Sequence, residues 1–142
     1  MSIRLGDTKV VTATNQDLNG SANAALLTYV ASKPCRLHRF GVVADADEGL
    51  LAAMRLKMRL TPVATGTAAD IDEAGVLNPG GAVARGLGVY KDAEESKVID
   101  AGDTITVAID TAAGGTSTGN VFLEIVELPF AGTEIDAMSK SA

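Results

Sequence analysis

The one thiol in this 142-residue chain, Cys35, lies three positions before its one histidine, His38, in the stretch CRLHRFGVVA. A thiol beside an imidazole is the minimal nucleophile–base pair, so this spacing is the first place to look for covalent chemistry. The stretch is rich in β-branched and aromatic residues and reads as a strand. In a regular strand, residues at i and i+3 point to opposite faces, so sulfur and ring cannot meet unless a bulge intervenes. The plainer reading is a semi-buried cysteine and a surface histidine flanked by Arg36 and Arg39. A lone cysteine also excludes an intramolecular disulfide framework and a cysteine-based zinc site. A lone histidine closes the route to a barrel metal centre built on several imidazoles.

Oxygen ligands for a hard cation are available at Asp45, Asp47 and Glu48, and again at Asp70, Asp72 and Glu73. Neither set has the spacing of a calcium-binding loop, so solvated turn carboxylates are the expected role. No GxSxG elbow is present. GLGVYKDA lacks the third glycine of a dinucleotide fingerprint, and NPGGA has no following Lys-Ser or Lys-Thr to make a phosphate loop. The aromatic supply is Tyr29, Tyr90, Phe40, Phe122 and Phe130, which is thin for stacking on sugars. The residues therefore point to a protein that is not an enzyme and holds no cofactor.

What remains is surface. MRLKMRL, Met54–Leu60, alternates strictly, with Met54, Leu56, Met58 and Leu60 on one face and Arg55, Lys57 and Arg59 on the other. Three cations on one strand of an acidic chain either deter edge-to-edge pairing or dock on an acidic surface. NVFLEIVEL, Asn120–Leu128, carries Val121, Leu123 and Ile125 on one face and Phe122, Val126 and Leu128 on the other, interrupted by Glu124. A strand apolar on both faces needs cover on both, and in a small two-layer sandwich the outer cover comes from a partner or from a loop or terminus folding over it. The candidate partner contacts are thus Arg55, Lys57, Arg59, Phe122, Val126 and Leu128.

The elements that carry these residues are almost all strands. Thr8–Thr14, Ala25–Ser32, Cys35–Ala44, Met54–Leu60, Ala84–Lys91, Glu95–Asp100, Thr104–Asp110 and Asn120–Leu128 have strand composition, with turn residues between them. Lys33-Pro34 separates the second from the third and cannot continue a ladder. Asp100-Ala101-Gly102-Asp103 reads as a tight turn in which glycine takes a positive φ and the aspartates bond local amides. The last two strands are expected to form a hairpin across Ala112–Gly119. Only Asp47–Met54 suggests a helical turn, and Val63–Val83 reads as one long loop without structure. The expectation is an all-β, about eight-stranded antiparallel sandwich of jelly-roll type, with extended terminal arms and one long loop. It comprises one domain over 1–142: an N-terminal arm with the first strand (1–24), a sandwich core (25–130) and a C-terminal tail (131–142).

Composition narrows the setting. With no tryptophan and aromatics at 4%, the core must be made of aliphatic side chains. A formal net charge of −6 argues against nucleic acid, whose backbone demands clustered cations. No window approaches the roughly 18 apolar residues of a membrane span. MSIRLGDTKV offers no apolar segment of signal-peptide kind, so synthesis in a cytoplasm is expected.

Eight strands, the unit V-x-x-A-G-D-T-I-T-V at Val98–Val107, the long small-residue loop, the acidic charge and the short arms resemble a jelly-roll structural protein of a tailed bacteriophage. The pattern from Ala25 to Phe130 is most similar to the head decoration, or cement, proteins. That resemblance implies a homotrimer on the capsid exterior, made in the host cytoplasm and clamping neighbouring copies of the major capsid protein. It carries over no functional residue. A receptor- or glycan-binding sandwich of a tail, fibre or cell surface is the alternative, hinted at by Tyr90 and the nearby Asp92.

Overall fold

The computed structural model describes residues 7–44, 55–76, 88–92, 98–112 and 118–128. These form nine strands: β1 (Asp7–Asp17), β2 (Ala25–Val30), β3 (Cys35–Ala44), β4 (Arg55–Thr61), β5 (Ala69–Val76), β6 (Gly88–Asp92), β7 (Val98–Ile99), β8 (Thr104–Thr111) and β9 (Thr118–Glu127). One sheet runs β1-β9-β3-β6, with β7 also pairing β3; the other runs β2-β8-β4-β5. All pairings are antiparallel. With the two-residue β7 set aside, the first strand pairs the last, β2 pairs β8, β3 pairs β6 and β4 pairs β5. This nested pairing across two stacked sheets is the jelly roll.

The expected hairpin of the last two strands does not form. β8 lies between β2 and β4, whereas β9 lies between β1 and β3 in the other sheet. Each strand has one strongly apolar face, and stacking lets both bury it. Ile105, Val107 and Ile109 share a common core with Val121, Leu123 and Ile125, all fully buried. The connection between them is long enough to span the roughly 10 Å between stacked sheets. The consecutive hairpin is instead β4–β5, and β5 falls inside the segment expected to be structureless. Its turn is closed by the amides of Thr65 and Gly66 donating to the Pro62 carbonyl, with Gly66 at φ 65°. The helical turn expected at Asp47–Met54 and the tail 131–142 lie outside the described residues.

The turn at Asp100–Asp103 is present, with Gly102 at φ 93°. Its hydrogen bonding reaches further than expected. The Asp103 carboxylate, buried, accepts from the Val63 amide at 3.0 Å, and the Asp103 carbonyl accepts from the Ala31 amide at 2.9 Å. The Gly102 amide donates to the Ala31 carbonyl at 2.7 Å. One turn thus ties the β2–β3 corner to the β4–β5 loop. β1, assigned from sequence to the N-terminal arm, pairs β9 from Asp7 to Asp17 around a bulge, where Asn15 adopts φ 52° and its amide donates to Asn120 Oδ1 at 3.0 Å. On this flank of the sandwich Lys9 reaches from β1 to β2, its Nζ 5.3 Å from the Tyr29 ring centroid.

Gly119 marks the tightest approach of backbone to core. A Cβ there would stand 2.6 Å from Val42 Cγ2 and 2.8 Å from the Val43 carbonyl oxygen. Because one of those atoms is backbone, β3 itself would have to shift. Gly119→Ala is expected to lower the unfolding free energy by about 1–3 kcal/mol, the usual cost of overpacking. Urea denaturation monitored by circular dichroism measures it.

Candidate functional site

The strand that decides which chemistry reaches the surface is β3. Leu37 and Phe40 are both buried, although residues three apart in a regular strand lie on opposite faces. A bulge reconciles them: Leu37 pairs Ile125, Arg39 pairs Glu124 and His38 is the extra residue. Downstream of His38 the inward set switches from odd to even numbers, giving Phe40, Val42 and Ala44. The same switch places Arg39 on the outer face beside His38.

A bulge is the distortion needed to join Cys35 to His38, and this one does not join them. Cys35 is fully buried in the core, while His38 is exposed and its Nε2 lies 3.9 Å from Glu124 Oε2. Burial pushes the Cys35 thiol up to about 11, with the negative charges of Glu127 and Asp103 adding to the effect. A thiol so held is a core side chain, not a nucleophile.

On the outer face of β1-β9-β3-β6, Arg39 Nε stands 3.2 Å from Glu124 and 3.3 Å from Asp92, and its guanidinium lies 4.7 Å from the Tyr90 ring centroid. The register sets Val10, Glu124, Arg39 and Asp92 in one row across the sheet, and Thr12, Phe122, Gly41 and Tyr90 in the next. Gly41 leaves a side-chain-free gap between two rings. Val10 and Tyr90 are 54% and 57% exposed, and Phe122 and Val126 are half-buried. Phe122 and Val126 thus lie where the sequence placed them, on the outer side of β9. Leu128 does not share that face. The strand has ended at Glu127, the Leu128 amide donates to the Pro34 carbonyl at 2.7 Å, and its side chain is buried.

The outer face of the other sheet is different. β4 is an interior strand between β8 and β5, so its cations do not protect an edge. Lys57 is only 8% exposed, with Nζ 3.4 Å from Asp70 and 3.9 Å from Asp110; Arg59 Nε is 2.9 Å from the same Asp70. Two of the three basic residues are therefore neutralised within the chain, and Arg55 is the exposed member. Around them the register gathers threonines, with Thr28 and Arg59 both paired to Thr106, and Thr61 paired to Thr104. Asp70, offered by sequence as a cation ligand, is occupied by lysine and arginine. Asp45, Asp47 and Glu48 lie outside the described residues, as do the side chains of Asp72 and Glu73. Among the described residues no three metal-ligating side chains converge.

Sequence reasoning missed the cluster of His38, Arg39, Glu124, Asp92 and Tyr90. The signal for it was the Leu37–Phe40 spacing, which a period of two cannot accommodate.

Two measurements check this geometry. At pH 8 the raised thiol pKa lowers the thiolate fraction of Cys35, so a thiol reagent is expected to label the native chain at least a hundredfold more slowly than the chain unfolded in urea. Labelling of the native chain at the unfolded rate contradicts burial. A double-mutant cycle of Lys57→Met with Asp70→Asn is expected to show coupling of about 1 kcal/mol, against less than about 0.5 for Lys9→Met with Glu127→Gln at the rim.

No protein-family model matches the sequence, and no curated protein matches it. Among solved structures, the chain is similar to one in the acidic stable capsid structure of Helicobacter pylori bacteriophage KHP30, with a TM-score of 0.47 and 10% identity over 89% of this chain and 92% of that one. It is also similar to a chain in the structure of infectious bursal disease virus, Gx strain, with a TM-score of 0.41 and 12% identity. That match covers 87% of this chain and 33% of the viral one. Similarity at this level says nothing of partners or activity.

Proposed function

We propose that this chain is a structural protein of a virion, one that decorates and stabilises a phage capsid by binding as an oligomer across neighbouring major capsid subunits. The observation that carries the reading is how the described side chains are used. Cys35 is buried, and Arg39, Lys57, Arg59 and Asp70 are engaged in ion pairs. Large apolar side chains, Val10 and Tyr90, stand exposed on sheet strands, which suits a molecule that works by covering surface and being covered.

The jelly-roll pairing and the acidic charge accord with this role. A specific contact requires about 1,200–2,000 Å² in total, and many symmetry-related copies turn modest contacts into a tight shell. The trimer implied by the resemblance would seat one chain over each of three capsid subunits.

The mass in solution is expected to be about three times the 14.5 kDa of one chain by light scattering. A monomer that persists through the high micromolar range removes the reading. An antibody against the purified chain is expected to label phage heads in electron micrographs. Label confined to tails or to the host surface favours the receptor- or glycan-binding alternative.

A further inference from the structure

We propose that the outer face of the β1-β9-β3-β6 sheet is where a second copy of this chain packs. The inference rests on the oligomeric reading above and assigns it a surface. Four large apolar side chains are exposed among the described residues: Val10, Val30, Val63 and Tyr90. Two of them, Val10 and Tyr90, share this one face with half-buried Phe122 and Val126. The opposite outer face carries one of the four, Val30, in the row of Thr104 and Thr61, among threonine hydroxyls, the exposed Arg55 and the ion pairs of Lys57 and Arg59.

Charge decides between possible occupants. Covering an ionised group is costly unless it already has a partner. On this face Arg39 is held by Glu124 and Asp92 and stacked on Tyr90, and His38 lies beside Glu124, so the cluster can be covered without stranding an ion. Among its described residues Arg36 and Arg39 balance Glu124 and Asp92, which leaves the face with no net charge when His38 is neutral. Chains of formal charge −6 repel one another over most approaches; in a closed trimer each copy sets this face against a different surface of the next, and a face without net sign meets that surface with least repulsion. A strongly acidic or basic partner would find nothing to complement here. Another copy finds apolar surface without like-charge opposition.

The test is sedimentation of the full-length chain as wild type, Val10→Glu, Tyr90→Ser and Val63→Glu, with circular dichroism as the check on folding. Val10→Glu places a charge in the contact and is expected to weaken association at least tenfold. Tyr90→Ser, at an exposed position, is expected to weaken it in the same direction and carries the test if Val10→Glu does not fold. Val63→Glu, in the β4–β5 loop away from this face, is expected to leave association unchanged. If folded Val10→Glu and Tyr90→Ser associate as tightly as wild type, this contact is overturned while the oligomeric reading stands. If the wild-type chain is itself monomeric, both fall.

Discussion

Leu37 and Phe40 both bury their side chains in the core from the same strand, and a strand of period two cannot do this over three residues. The chain resolves the conflict with one additional residue, His38, against β9. Burying Phe40, Val42 and Ala44 on the far side of that bulge is worth several kcal/mol at roughly 25 cal/mol for each Å² of apolar surface, which outweighs one irregular ladder position. The consequence is electrostatic. Arg39 is turned outward beside Glu124, Asp92 approaches from β6, and Tyr90 comes to lie against the guanidinium. A packing requirement in the core thus writes the charge pattern on the surface.

The two sheets are held by their shared aliphatic core and by a few long-range polar ties. Asp103 is the chief of these, because its carboxylate and carbonyl reach two separate loops from one turn. Lys9 performs a smaller service between β1 and β2, its stem spanning the flank and its ammonium resting near Tyr29. Nested pairing sends most connections across the sandwich, so sequence neighbours lie on opposite sheets and most ladders join strands far apart along the chain. That arrangement leaves two broad outer faces, and they are not alike.

One outer face spends its cations on its own acids. Lys57 and Arg59 converge on Asp70, with Asp110 close by and threonines in the neighbouring register positions. The other outer face also pairs its charges, but sets them among Val10, Phe122, Val126 and Tyr90. Paired charges within apolar surroundings lower the cost of losing water, which is what a contact surface requires. An acidic molecule can keep its solubility from net charge and still have a face on which association is permitted.

Sequence alone determined most of the strands and, where alternation is regular, their inward set. Alternation in Leu56, Met58 and Leu60, and in Val121, Leu123 and Ile125, is a local property that a half-buried strand must have, and Cys35–Ala44 appears with the bounds its composition suggested. Sequence also placed the Gly102 turn, since few residues but glycine take that φ cheaply. It did not determine which strands pair. Adjacent strands with a connecting loop are equally consistent with a hairpin or with an arch between sheets, and only burial of both apolar faces in the core between the two sheets selected the arch. Nor could composition separate β5 from a loop, because its small and acidic residues acquire strand geometry from pairing with β4. The ion pairs of Lys57 and Arg59, the burial of Leu128 and the outward turn of Arg39 all depend on neighbours far along the chain. These belong to the tertiary structure, because a charge is free or neutralised, and a side chain shown or hidden, only with respect to what is folded beside it.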